Sequence, residues 1–278
     1  MTELDYDQIK AVNFSSLKYM EKGPLHYLYN KQHPKKPTEA MVLGTAVHCM
    51  VLEPEQFPER YAIIDLNRNS KAYKEQAALE AEAGRIILKT PELERIKLIT
   101  ASVRGHGHAM ALLKGTEREL TLQWEYDGVQ RKGRVDAYKP GVLIDLKTCA
   151  DPQPWAFSAQ SFKMFYHAQM AFYAEGIKVL YGEYPEVYMI AVQNKEPYET
   201  VLYHIPLEVL QRGEMKINDW IEQLLDCIEA DSYHGNYGGV QELALPGWAE
   251  TMEVDDTIAI GGQKMRLNEE TGLLEVTK

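Results

Sequence analysis

The stretch from Glu119 to Lys147 constrains this chain more than any other. Apolar and polar residues alternate along it, and Asp127-Gly128 and Pro140-Gly141 divide it into three runs. Both dipeptides suit two-residue turns, so the runs read as antiparallel strands: Glu119 to Tyr126, Val129 to Tyr138 and Val142 to Lys147. Folding about the first turn sets Glu119 opposite Asp136, and folding about the second sets Asp136 opposite Asp145. Opposed residues share one face, with Cβ atoms about 4.5–5.5 Å apart. Lys147, two residues beyond Asp145, points to that same face. Like charges in a row destabilise a hairpin, and a bound divalent cation is the simplest compensation. Oxygen donors suit Mg²⁺ or Mn²⁺, and the lack of a Cys/His set speaks against a structural zinc. A lysine beside a carboxylate-held metal suits phosphoryl chemistry, where it can orient the attacking water or offset transition-state charge. The plainer alternative is a row of solvated edge-strand carboxylates, and a bulge in either hairpin would break the register.

The surrounding pattern is helical. A helix is predicted over Asn13 to Asn30, capped by Asn13 or Ser15 and interrupted at Gly23-Pro24. Thr38 caps an apolar helix to about Glu53, Ser70 to Arg85 has a helix-forming composition, and Thr90-Pro91-Glu92 opens a helix to about Leu113, with Gly105 and Gly107 inside it. After the three strands come helices over Pro154 to Met164 and Tyr166 to Tyr181, strands over Val187 to Gln193 and Glu199 to Ile205, and a long helix from Pro206 to about Ala230. That order predicts one α/β domain, a mixed central sheet flanked by helices; its extent, residues 1–249, is set by a family resemblance. Residues 250–278 form an acidic tail with hairpin-like pieces around Gly261-Gly262 and Thr271-Gly272.

No run of about eighteen apolar residues occurs, so no spanning helix and no membrane partner are expected. The polar start MTELDYDQIK has no signal-peptide character, and three scattered cysteines give no disulfide framework, which together point to the cytoplasm. Thirty Lys and Arg against forty-one Asp and Glu give a net charge of -11, which argues against coating nucleic acid through bulk charge. It leaves room for an enzyme whose basic residues line one channel.

Several motifs resemble a known family. Asp136 followed by Asp145-Leu146-Lys147 resembles the D…(D/E)-x-K core of the PD-(D/E)xK nuclease superfamily. Gly44-Thr45-Ala46-Val47-His48 looks like the GTxxH motif that precedes this core in its RecB-like and phage-exonuclease branch, and Gln169 to Tyr173 matches the QxxxY motif that follows. GTAVHCMVLEPEQF, KGRVDAY, LIDLKT and LPGWA are most similar to the C-terminal exonuclease family of RecE (exonuclease VIII), over about Asn13 to Ala249. The resemblance implies a PD-(D/E)xK core and a Mg²⁺-dependent 5′-to-3′ exonuclease acting on double-stranded DNA ends and leaving 3′ single strands for recombination. It further implies a ring-shaped homo-oligomer, a trimer or tetramer, acting with a RecT-like annealing protein. By motif position, His48, Asp136 and Asp145 are metal-site residues, Lys147 is the catalytic lysine, and Gln169 and Tyr173 support the site or touch DNA. Asp145 departs from the Glu that most of the superfamily carries. Glu119 enters through the strand register alone.

Candidate DNA contacts are Arg131, Lys132 and Arg134, with Lys31, Lys35, Lys36, Arg68, Lys71 and Lys74 more distant, each against the alternative of a solvated charge. Trp155 and Phe157 suit either stacking on a DNA end or core packing, and RGHGH, Arg104 to His108, reads as a flexible exposed segment. Two other classes remain open: a structure-selective or single-strand nuclease of the same fold, and a non-catalytic DNA-binding subunit. An iron–sulfur variant of the former would need four cysteines.

Overall fold

A computed structural model describes residues 6, 8–246, 257–260, 263–267 and 272–276. The chain divides into two compact units, Met1–Asn236 and Tyr237–Lys278, a division that falls earlier than the boundary at residue 249 that the family resemblance implies.

The first unit is built on a six-stranded mixed sheet. Its strands are β1 (Val12–Asn13), β4 (Glu117–Tyr126), β5 (Val129–Lys139), β6 (Val142–Cys149), β7 (Glu186–Gln193) and β8 (Thr200–Ile205). A separate parallel pair, β2 (Tyr61–Ile63) and β3 (Ile86–Leu88), lies outside it. Both expected tight turns form: Asp127 and Gly128 have φ of 48° and 74°, and Gly141 has φ of 77°. β4 pairs antiparallel along one edge of β5, and β7 pairs parallel to β6 and antiparallel to β8.

The other edge of β5 is shared. β1, which the sequence pattern did not reveal, pairs parallel with it at Arg131 and Lys132. β6 pairs with it only from Ala137 to Lys139. Between these pairings lies a stretch of β5 edge without a strand ladder, and Asp136 stands at its end.

The helices are α1 (Phe14–Leu17), α2 (Pro24–Gln32), α3 (Glu39–Leu52), α4 (Phe57–Arg60), α5 (Lys71–Glu82), α6 (Thr90–Gly105), α7 (Gly107–Leu113), α8 (Pro154–Lys163), α9 (Tyr166–Tyr181) and α10 (Leu207–Glu229). Asn13, Thr38 and Ser70 cap α1, α3 and α5 through their side-chain oxygens. Gly23, at φ 102°, separates α2 from the short 3₁₀ segment Lys18–Lys22 that follows α1. The expected single helix over Thr90 to Leu113 is broken at His106, whose Nδ1 accepts from Ala109 N at 3.2 Å and caps α7. His106 in RGHGH is therefore a helix cap.

Two cores cover the two sheet faces. Trp124, Leu143, Phe172, Leu210 and Trp220 belong to one, with α9 and α10. Val47, Ile96, Ile99, Ile144 and Leu146 belong to the other, with α3 and α6. Strand alternation explains the division: on β6, Leu143 and Cys149 face the first core while Ile144 and Leu146 face the second. In α10, Leu210, Ile217, Trp220, Leu224 and Cys227 form one buried stripe at helical spacing. Gly213 in that stripe lets α10 approach α9 so closely that a Cβ there would lie 2.5 Å from the His167 carbonyl oxygen. The expected tail hairpins correspond to an antiparallel sheet, β9 (Thr257–Ile260), β10 (Gln263–Leu267) and β11 (Leu274–Val276); Gly261-Gly262 and Thr271 lie outside the described residues.

Backbone cannot yield as a flexible side chain can, so Gly213→Ala should prise α10 from α9. The expected loss is about 1–3 kcal/mol in urea denaturation, whereas Gly105→Ala, with open space around it, should cost far less.

Candidate metal-dependent active site

The site forms where the sheet opens between β5 and β6. Arg118 faces Ala137 and Leu120 faces Val135, which sets Glu119 opposite Asp136. Ala137 faces Ile144, which sets Asp136 opposite Asp145. The register of the three carboxylates is thus the one the turns predict, but the strands do not stay regular. Glu119 has φ of 48°, a left-handed conformation rare outside glycine. Val135 packs in the core under α9, whereas Ala137, two residues on, packs in the opposite one, so the alternation of β5 slips by one at Asp136. The slip lets Asp136 reach two elements. Its Oδ2 accepts from Leu146 N at 2.6 Å, replacing a missing rung of the ladder. The same oxygen lies 3.3 Å from Nδ1 of His48, which α3 brings in. Gly44, one turn earlier on α3, makes that approach possible: a Cβ there would sit 3.3 Å from Thr148 Oγ1.

His48, Glu119 and Asp136 each offer one ligand atom, all within 4.8 Å of one another. Trans ligands on an octahedral ion at about 2.1 Å are roughly 4.2 Å apart, so the set is nearly of the right span for Mg²⁺ or Mn²⁺. One nitrogen and two carboxylates are hard to borderline donors that suit such ions. Asp145 lies beside this group, and its carboxylate grips Lys147, with Nζ 2.8 Å from Oδ1 and 2.7 Å from Oδ2. Its Oδ2 is buried and, though ion-paired with the Lys147 ammonium, makes no hydrogen bond of good angle.

Burial and crowding of charge shape the ionisation. Burial first, and then the Asp136 charge, push the Glu119 carboxyl up to about 7. Burial also raises Asp145, to about 6, against the pull of Lys147. Burial alone would raise Asp136 as well, but the His48 pair, Lys147 and the Leu146 amide outweigh it and hold Asp136 below the usual carboxylate range. His48 and Lys147 are raised: burial opposes their charge, and the facing carboxylates overcome it.

Gln169 and Tyr173 stand together on α9, with Gln169 Nε2 donating to the Tyr173 hydroxyl at 3.2 Å. Gly133 on β5 leaves room for the Tyr173 ring, where a Cβ would come within 2.8 Å of Cε1. Burial, with the charges of Asp145 and Asp136, raises the Tyr173 hydroxyl strongly, so it stays protonated at the site's edge.

The basic run Arg131-Lys132-Gly133-Arg134 does not form one patch, because strand alternation splits it. Arg131 is 1% exposed and points under α9, donating to Glu175 at 2.7 Å, where Trp124 also donates at 2.8 Å. Lys132 is buried too, with Nζ on the Tyr6 carbonyl at 2.7 Å. Arg134 lies over the Tyr6 ring, and its charge lowers the pKa of Glu119. Of the more distant lysines, Lys31 lies over Tyr27 and Lys35 over Tyr19. Phe157 is core, stacked on Tyr203, while Trp155 is 78% exposed.

Sequence reasoning missed two residues here. Lys18 is half-buried, and burial first and then the charge of Lys147 lower its pKa. No local pattern marks it. Tyr166, whose ring centroid lies 5.0 Å from Lys147 Nζ, was detectable: it precedes Gln169 by three positions and Tyr173 by seven, the spacing of one helix face.

A mixed sheet with a GTxxH-type helix on one side, a QxxxY-type helix on the other and a D…D-x-K pair between them is the arrangement of the PD-(D/E)xK nuclease fold. The chain belongs to the family described as PDDEXK-like domain of unknown function (DUF3799), which matches residues 13–242. A solved structure of Eubacterium rectale named "Putative exonuclease" has the same fold, with a TM-score of 0.63, 14% identity, and 91% of this chain and 99% of that chain covered. A phage-related exonuclease of Haemophilus somnus 129PT aligns at 13% identity over 80% of this chain and 96% of its own, with a TM-score of 0.35. An alkaline exonuclease of Laribacter hongkongensis aligns at 12% identity over 58% and 84%, with a TM-score of 0.28. No curated protein matches the chain.

Glu119 holds its proton up to about pH 7 in the fold and releases it near 4.5 when unfolded, so the metal-free protein should lose stability as pH rises through that window. Glu119→Gln should flatten this slope, leaving the part that the raised Asp145 carboxyl contributes. In EDTA the variant should exceed the parent at pH 8 by on the order of 1–2 kcal/mol, and match it near pH 4, as read by urea denaturation.

Proposed function

We propose that this protein is a divalent-metal-dependent DNA exonuclease that degrades one strand of linear duplex from its 5′ end and leaves a 3′ single strand. The observation that carries the reading is the convergence of His48, Glu119 and Asp136 beside the Asp145–Lys147 pair, in a chain of the PDDEXK-like family. The solved structure of the same fold that is named "Putative exonuclease" supports an exonuclease activity.

His48, Glu119 and Asp136 would hold the cation, with Asp145 next to them. A bound Mg²⁺ or Mn²⁺ would offset phosphate charge and favour ionisation of the attacking water. Lys147, held by Asp145 beside that cluster, would orient the nucleophile and stabilise charge that develops in the transition state. The low pKa of Asp136 keeps that ligand ionised at neutral pH. The Tyr173 hydroxyl, which stays neutral, can donate to a phosphate oxygen or align the substrate, with Gln169 holding it in place. Arg134 lies on the Glu119 side and suits a contact to the DNA backbone.

Processivity by a chain of net charge -11 would come from encirclement rather than bulk attraction, which favours a ring-shaped homo-oligomer. A cytoplasmic role in recombination, with 3′ strands handed to a RecT-like annealing protein, completes the proposal. Among the described residues, no helix is long and apolar enough to cross a membrane.

End-labelled linear duplex incubated with the protein should lose label progressively from 5′ ends in Mg²⁺, and stay intact in EDTA. Lys147→Ala should lower the cleavage rate by at least about 10³-fold with DNA affinity nearly unchanged. Internal nicking or preference for single strands would favour the structure-selective alternative. Binding without any cleavage would favour the non-catalytic one.

A further inference from the structure

The ammonium of Lys147 is held by the Asp145 carboxylate at 2.7–2.8 Å and by the face of Tyr166, with its centroid at 5.0 Å, and the Asp136 charge also acts on it. An aromatic face within about 6 Å attracts a cation, and more strongly where water is scarce. The Lys147 side chain is 15% exposed and that of Asp145 3%, so the site is largely dry.

The Tyr166 ring is itself held from several directions. Its hydroxyl accepts from Gln160 Nε2 at 3.3 Å, and Phe157 packs against it at 6.2 Å between centroids. The backbone places it deliberately. α8 ends at Lys163, and Phe165 then takes φ 59° and ψ 34°, a left-handed conformation that costs a bulky residue free energy. Phe165 meets Trp220 edge-on at 5.3 Å, which anchors the kink. The kink starts α9 at Tyr166, and the helix then carries Gln169 and Tyr173 on the same face.

The two holds on Lys147 differ in what they can do elsewhere. Asp145 is also beside the metal-ligand cluster, and a carboxylate that turns to a cation must loosen its grip on an amine. A tyrosine ring has no such second duty. We infer that Tyr166 is a positioning residue for Lys147: its ring keeps the ammonium in place while Asp145 serves the metal. This rests on the assignment of Lys147 as the catalytic lysine.

The test uses Tyr166→Phe, which keeps the ring, and Tyr166→Leu, which removes it, with Tyr166→Met as the replacement if the leucine variant does not fold. Two readouts are needed. The first is independent of cleavage: in NMR spectra of lysine-labelled protein, the Lys147 ε-methylene signal, identified by its loss in Lys147→Arg, should be shifted upfield by the ring current. That shift should persist in Tyr166→Phe, survive addition of Mg²⁺, and vanish in Tyr166→Leu. The second is single-turnover cleavage of duplex DNA, where Tyr166→Phe should stay near the parent rate. Tyr166→Leu should fall by on the order of tenfold with DNA affinity unchanged.

A Lys147 signal at its ordinary position in the parent protein, or lost on adding Mg²⁺, overturns the inference whether or not the protein cleaves DNA. So does a Tyr166→Leu rate equal to the parent's. A parent protein inert toward duplex ends, with the ring-current shift intact, would instead sink the exonuclease reading and leave the lysine–tyrosine contact standing.

Discussion

The structure of the site depends on one hydrogen bond, from the Leu146 amide to the Asp136 carboxylate. β1 and β6 share one edge of β5 without meeting, and the interval between them leaves strand edge without a ladder. A buried amide without an acceptor is costly. Asp136 supplies the acceptor from a side chain, and the strands can therefore separate far enough to admit His48 from α3 and Lys147 from β6. A fully paired sheet would have closed that space. The left-handed Glu119 and the slip in alternation at Asp136 belong to the same local departure from regularity.

Much of this was legible in the sequence because short-range rules decide it. Two dipeptide turns define the register of Glu119, Asp136 and Asp145, and turn chemistry is local. Caps at Asn13 and Thr38 follow from side chains that reach only three residues. The unread features are all contacts of long range or low sequence cost. A two-residue strand such as β1 has no period to detect. The burial of Arg131 depends on Glu175, forty-four positions away, and a run of basic residues looks the same whether its members face water or core. The electrostatic influence of Lys147 on Lys18 leaves no trace in the local sequence pattern. Metal ligation was expected of His48, Asp136 and Asp145 by motif; the geometry draws Glu119 into the cluster and turns Asp145 toward Lys147.

The flanking layers serve the opening by rigidity. Arg131, Trp124 and Glu175 form a dry polar network between β4, β5 and α9, and breaking such a pair from one side typically costs several kcal/mol. With Gly133 admitting the Tyr173 ring and Gly213 admitting the backbone at His167, α9 is clamped from both sides. That helix carries Tyr166, Gln169 and Tyr173 to the site, so the precision of the site is inherited from how tightly α9 is packed.

The doubled role of Asp136 has a further consequence. One carboxyl group both joins two strands and belongs to the candidate cation-binding cluster, so the spacing of the sheet at that level is tied to the charge state of a single side chain. An uncharged replacement would alter scaffold and chemistry in one stroke, and an inactive variant at this position would say little about which of them failed. Natural variation there should be far narrower than at Glu119, whose backbone is bent but whose carboxylate holds nothing else together.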